Sequence, residues 1–332
     1  MAALTRVART APVTLSHTFV VGETPADPSP ATATVAIVDA NGTTVVASTA
    51  ATHGTAGVFT YALAGQAQLA HYTAAWTATF SGSAVVETDY VEVAGGFYFD
   101  LATARASDSS LADATKYPLA ALITARQEAE DECEQICDRA FVPRYHRAVL
   151  DGSGTADLLL TDYAWAAEGR SAGDVRTIRT ASVAPQVGQT FVALTSTQRA
   201  ALYVTADGQL RRTDGNIWPE GVGNVIVEYE YGWDAPPSDL VRAALTRLRT
   251  RLNLNRSGVP DRASSFTATD GGTYRLDLPG AFKTGIPEVD AVYGRYSRRS
   301  GSGTGTNGRP IASSRTLTFD PQRNSIFHGG LR

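Results

Sequence analysis

Cysteine is nearly absent from this chain of 332 residues, which carries two, Cys133 and Cys137. So few cannot build a disulfide framework, and they fit synthesis in a reducing cytoplasm. Methionine occurs once, and of 29 basic residues only Lys116 and Lys283 are lysine. That arginine bias, with abundant alanine, points to a GC-rich coding genome. No run of about 18 apolar residues occurs, so no membrane-spanning helix is expected. Met1-Ala-Ala-Leu-Thr-Arg6 lacks the apolar core of a signal peptide, so Sec export is not expected. Charged residues make up 19% and hydrophobic ones 43%, which excludes wholesale disorder. The length suits two or three domains, each with its own core.

Catalytic signatures are also missing. There is no G-x-S-x-G elbow, no H-E-x-x-H, and no Walker loop, since neither lysine follows a glycine. The five histidines, His17, His53, His71, His146 and His328, are scattered. Glu128, Asp131 and Glu132 fall on one helical face, where solvation is the default reading. Cys133 and Cys137 sit one helical turn apart and would need further His or Cys ligands to hold a metal; both fall in an apolar arc and read as core. Gly303-Thr-Gly305-Thr-Asn-Gly308 matches a dinucleotide loop by letter. It lacks the strand before it and the helix after it, so it reads as linker. No enzyme, metal or cofactor is expected.

What is present is a charge polarity hidden in a net charge of −4. Residues 1–100 hold 2 basic and 7 acidic side chains, residues 101–237 hold 12 and 19, and residues 238–332 hold 15 and 7. An acidic body therefore precedes a basic C-terminal quarter, which bears on partners rather than on fold.

Residues 11–94 read as all-β. Runs at Pro12–Val21, Ala33–Val38, Thr43–Ala47, Val58–Leu63, Tyr72–Phe80 and Ala84–Val93 are separated by turn signals, including Asn41-Gly42. Period-two alternation puts Tyr72, Ala74, Trp76, Ala78 and Phe80 on one face. An immunoglobulin-like sandwich over residues 1–99 is the expectation, with a partly open barrel as the rival. Residues 100–115 read as a linker. A helix over about 118–139 follows, with Thr115 as cap and Pro118 in the first turn. Its apolar arc takes in Leu119, Leu122, Ile123, Ala129, Cys133, Ile136, Cys137 and Ala140. Arg126 falls inside the arc, either paired with Glu130 at i+4 or facing another subunit. Residues 147–233 return to β character. Pro236-Pro237-Ser238 then opens a helix over 238–256, whose apolar arc is flanked by Arg242, Arg247, Arg249, Arg251 and Arg256. Those arginines could meet phosphate, neutralise an acidic neighbour or carry packed stems. A third helix spans about 287–299. Ser300–Gly308 is a linker, and Thr316–Asp320 with Ile326-Phe327 has enough apolar character to dock on a partner.

Three segments carry a resemblance: Cys137-Asp-Arg-Ala-Phe141-Val-Pro143; Val227-Glu-Tyr-Glu-Tyr-Gly232 leading to Pro236-Pro-Ser-Asp-Leu240; and Ile286-Pro-Glu-Val-Asp290 with Tyr293-Gly-Arg-Tyr296. In order and spacing they resemble the head–tail connector (adaptor) family of long-tailed double-stranded DNA phages, also found in gene transfer agents. The cues extend over roughly 180 of the 332 residues. The resemblance implies an α+β multidomain chain: a small helical-bundle core (116–299) with a β-rich insertion and an extended C-terminal arm (300–332). It implies a structural virion protein, made in the bacterial cytoplasm and sited in the neck. There it forms a ring, usually twelve-fold, beneath the portal. The ring extends the DNA channel without sequence-specific binding, and joins the head to a stopper, tail-terminator or other neck protein. Arg315, Leu317, Phe319, Ile326 and Phe327 would form a portal-docking arm. Arg126, Arg242, Arg247, Arg249 and Arg251 are candidates for contacts between subunits. The β domain at 11–94 and the insertion of about 95 residues exceed the minimal family.

A ring protein needs unlike surfaces that meet head to tail, and an acidic body with a basic end supplies them. The competing expectation is a virion-associated carbohydrate- or receptor-binding module built on the N-terminal β domain, with Tyr72, Trp76 and Tyr90 as its platform unless they are core.

Overall fold

A computed structural model describes residues 4–168, 170–186, 188–205, 208–254, 265–267, 273–275 and 282–298. The chain is mixed α+β and strand-rich, with several sheets. No helix among the described residues is long and apolar enough to cross a membrane.

The N-terminal region holds β1 (Leu4–Ala8), β2 (Val13–Thr18), β3 (Val20–Val21), β4 (Thr24–Pro25), β5 (Ala33–Asp39), β6 (Thr44–Ala50), β7 (Thr52–His53), β8 (Val58–Leu63), β9 (Ala70–Phe80) and β10 (Ser83–Ala94). One sheet runs β1-β10-β9-β5-β6 and a second runs β2-β8-β7. β1 lies parallel to β10, and the other pairings in both sheets are antiparallel. The alternation in β9 does what the sequence predicts: Tyr72, Ala74, Trp76 and Ala78 are buried, and Phe80 packs against the same core. That core also takes Leu15 from β2 and Phe59 and Leu63 from β8, so the two sheets share it. Trp76 is wholly buried, and of the three platform aromatics only Tyr90 is exposed.

Residues 100–115 are not an unstructured linker. They form α1 (Leu101–Ala106) and a 3-10 turn (Ser109–Ala112), capped by the side chains of Asp100 and Asp108, which accept from Thr103 and Ser110 N–H groups. Ala104 and Leu111 are wholly buried in the helical core, so a weak apolar pattern is enough to fix the segment. α2 (Leu119–Cys137) is shorter than the expected 118–139. Pro118 is its N-cap residue, and Thr115 makes no capping bond to it. Asp138 ends it in the left-handed region at φ 51°, a conformation Asp tolerates.

The β region begins at Arg144, three residues before the expected 147, because its first strand carries charge rather than a clean apolar pattern. It comprises β11 (Arg144–Gly152), β12 (Asp157–Leu159), α3 (Tyr163–Ala167), β13 (Val175–Val183), β14 (Val192–Ala193), α4 (Ser196–Ala200), β15 (Leu202–Val204), β16 (Gln209–Arg212) and β17 (Gly221–Tyr231). Its sheets run β11-β17-β13-β14 and β12-β16-β15. α5 (Ser238–Leu254) follows, then the hairpin β18 (Ser265–Thr267) and β19 (Thr273–Arg275), then α6 (Pro287–Tyr296). α6 stops three residues short of the expected 299, because Ser297 turns to an extended conformation at ψ 135°. α2, α5 and α6 pack on one another around Leu122, Cys133, Leu240, Leu248, Val289 and Tyr293. The expected arm and the Gly303-x-Gly305 string lie outside the described residues, as do Arg256 and His328.

Candidate functional site

The three cue segments meet in space. α2 ends, turns at Asp138 and delivers Phe141; β17 ends and delivers Trp233; α6 delivers Tyr296. Their rings form a triangle of edge-on contacts, with centroids 5.4 Å apart for Phe141–Trp233, 5.9 Å for Phe141–Tyr296 and 6.0 Å for Trp233–Tyr296. Backbone bonds close it: Trp233 N–H donates to Ala140 O at 3.1 Å and Arg298 N–H to Cys137 O at 2.9 Å. The Tyr296 hydroxyl donates to Asp239 Oδ1 at 2.8 Å, tying α6 to the first turn of α5. Cys133 and Cys137 are wholly buried here, and the Cys137 thiol donates to Tyr293 O. Burial pushes the Cys133 thiol well above its ordinary value, so it is protonated and behaves as a small hydrophobe.

The arginines of α5 face acids of the same chain. Arg247 makes a two-point contact with Glu132 of α2, at 2.6 and 2.8 Å. Arg251 reaches Glu128 at 2.7 Å and Glu132 at 3.3 Å. Arg249 lies 3.5 Å from Asp108, and Arg242 lies 3.3 Å from Glu288 with both side chains more than 70% exposed. Of these residues, Arg242 retains the most surface for an outside partner. Arg126 is buried within its own chain, its guanidinium 3.4 Å from the Phe97 ring centroid and its Nη1 donating to Phe99 O. It forms no ion pair with Glu130 and is not at a free surface. The reason is rotation of α2: Leu119 and Ile123 are exposed, while Glu130 and Glu134 are buried.

Those buried acids belong to a charge cluster that sequence reasoning missed. Arg144, at the start of β11, is 1% exposed and lies 2.7 Å from Glu134 and 3.1 Å from Glu92 of β10. Arg6 of β1 lies 2.6 Å from Glu92 and 2.7 Å from Asp131. Glu130 is wholly buried; its Oε1 accepts from Tyr98 N–H at 2.8 Å, and its Oε2 stands 3.7 Å from Arg6 Nη1. Burial pushes Glu130 up to about 7, against the pull of Arg144 and the Tyr98 N–H. Glu92 goes the other way: burial opposes its charge, but Arg144, His71 and Arg6 outweigh it and hold the carboxyl well below the ordinary range. Four further contacts join the same two parts. Asn41, at the tip of the β5–β6 hairpin, accepts from Arg147 and donates to Glu228; Arg179 donates to Leu69 O; and the His71 ring meets Tyr145 edge-on. The N-terminal β region is thus anchored on the rest of the chain at several points.

Four of the histidines also have carboxylate partners that their spacing hides. His17 lies between Glu87 and Asp89, His53 is beside Asp27, His71 beside Glu92, and His146 is 2.9 Å from Asp162. The last pair is structural in form: Asp162 also caps α3 through Trp165 N–H, and His146 packs on the Trp165 ring at 4.0 Å. Burial lowers the His146 value despite Asp162. Among the described residues no group of three or more His, Cys, Asp or Glu is arranged to hold a metal ion. No model of a known protein family matches the chain, and no curated protein matches it.

Proposed function

We propose that the chain is a structural virion protein, a head–tail adaptor that forms a ring below the portal, extends the DNA channel and joins the head to the next neck or tail protein. The observation that carries this reading is the convergence of the three resembling segments on the Phe141–Trp233–Tyr296 triangle. Residues far apart in sequence that carry one resemblance form one packed unit, as a shared core requires. α2, α5 and α6 then make up the small helical bundle of the connector, and β11 to β17 its insertion. The N-terminal region, two sheets around one core with β1 parallel to β10, is read as an appended immunoglobulin-like sandwich. Its anchoring by Arg144 and Arg6 suits a load-bearing assembly, in which a loosely tethered domain would have no fixed place.

Partners in this reading are further copies of the chain, the portal through Arg315, Leu317, Phe319, Ile326 and Phe327, a stopper or tail-terminator protein, and DNA passing without sequence-specific contact. The carbohydrate-binding alternative loses Tyr72 and Trp76, which are core. Electron microscopy and mass photometry of the purified protein and of particles test the proposal. Rings of about twelve copies are expected, and monomers alone in both samples overturn it.

A further inference from the structure

The outer face of the five-stranded sheet is uncharged over most of its extent. Opposite the buried side of β9 stand Thr73, Ala75, Thr77 and Thr79. Val86 and Tyr90 of β10 flank them in register, 59% and 49% exposed. β5 continues the face with a threonine, an alanine and a valine. Two of the three acids of β10 point the other way. Glu87 and Asp89 pair in register with Trp76 and Ala74 on the core side, where His17 of β2 takes both at 3.1 and 2.8 Å. A sheet with one wet face ordinarily puts its charges outside and its uncharged residues inside; here Glu87, still 38% exposed, and Asp89 lie on the core side, and the outer face beyond its Arg6–Glu92 end carries neither acid nor arginine. The same face is a packing surface at one end, since Arg6 and Glu92, next in register beyond Leu4 and Tyr90, are buried against Glu134, Asp131 and Arg144.

We infer that the uncharged outer face of β10, β9 and β5 is a self-association surface that packs on a second copy of this chain. A nucleic acid or an acidic glycan would need cations, and residues 1–100 contain only Arg6 and Arg9, of which Arg6 is held by Glu92 and Asp131. A second copy meets no such demand. Two copies of a region with net charge −5 repel wherever their acids face each other, and this face is where they do not. Three strands about 4.8 Å apart over about 20 Å of strand give a patch on the order of 300 Å². That is well under half of what one side of a stable interface buries, so the contact is concentration-dependent alone and completed by other contacts in an assembly. The inference rests on the self-assembly proposed above and names a surface that proposal leaves open.

Sedimentation velocity of the full chain tests it, beside the variant Thr77→Lys/Val86→Glu. These positions are directly opposed across β9 and β10, so the introduced charges pair with each other and spare the fold, which thermal melting checks. Wild type is expected to associate as concentration rises. The double variant is expected to associate at least about tenfold more weakly, and Val86→Thr, still uncharged, like wild type. If the double variant fails to fold, Thr88→Lys, on an exposed position of β10, carries the same comparison. A folded charged variant that associates like wild type overturns the surface and leaves the ring proposal standing. Wild type that stays monomeric at every concentration also overturns the surface. Absence of rings in particles counts separately, against the ring proposal.

Discussion

Arg144 and Glu92, 52 positions apart, share a 3.1 Å hydrogen bond in which the fully buried guanidinium of β11 meets the acid of β10. The same guanidinium donates to Glu134 of α2 at 2.7 Å, so one side chain joins three elements from two regions. Truncating it leaves Glu134 buried without a cation and leaves Glu92 with Arg6 as its one arginine. Arg144→Ala is therefore expected to cost about 3–5 kcal/mol. Urea denaturation followed by circular dichroism measures this, and a loss below about 1 kcal/mol would show that the cluster does not couple the two regions.

Glu130 gives the same junction a pH dependence of known sign. Its folded value, about 7, lies above its ordinary value of 4.5. The protonated form is thus favoured by folding. The contribution is fully present below pH 4.5 and is lost as pH rises to about 7, on the order of 3 kcal/mol across that window. Glu92 is depressed, so its contribution is present above its ordinary 4.5 and is lost only at lower pH, outside the window. Glu130→Gln keeps an uncharged side chain at every pH and should flatten stability between pH 4.5 and 7. Identical slopes for variant and wild type over that range would falsify the assignment.

The strands of the N-terminal region were legible because period two is visible wherever one face is buried, as with Tyr72, Ala74, Trp76 and Ala78. Segments whose contacts are long-range were not. β1 lies parallel to β10, some 86 residues away, and nothing local to Leu4–Ala8 announces that pairing. The burial of Glu130 and Glu134 was illegible for a related reason. A helical wheel assigns carboxylates to solvent unless a cation is known to wait on the other side, and here the cations come from β1 and β11. The same rotation exposes Leu119 and Ile123, which the wheel placed inside. The α5 arginines were visible as a set, but their partners on α2 depend on how the two helices cross.

That crossing yields a graded expectation for the arginines. Arg247 and Glu132 are each less than 20% exposed and meet at two points, whereas Arg242 and Glu288 are more than 70% exposed and meet at one. A double-mutant cycle on Arg247 and Glu132 should return about 1–2 kcal/mol of coupling, and one on Arg242 and Glu288 less than about 0.5 kcal/mol. Equal couplings would mean that burial and two-point geometry do not set the strength of this seam.

Gly232 decides how β17 enters the aromatic triangle. Its φ of +98° is open to glycine and strained for other residues, and a Cβ there would stand 2.4 Å from Val142 O. Neither obstacle yields easily: the carbonyl belongs to the turn that carries Phe141, and Gly232 N–H is itself bonded to Asp174 O at 2.9 Å. Gly232→Ala must move that turn or unseat Trp233, at an expected cost of about 2–4 kcal/mol. Trp233→Phe keeps a ring in place and should cost less. The glycine of the Tyr-Gly-x-x-x-Pro-Pro cue then acts through folding rather than through contact with a partner. Gly232→Ala should lower the yield and melting temperature of the protein, while whatever fraction folds assembles normally. A variant that melts like wild type but fails to assemble would reverse that conclusion and move the cue to an interface.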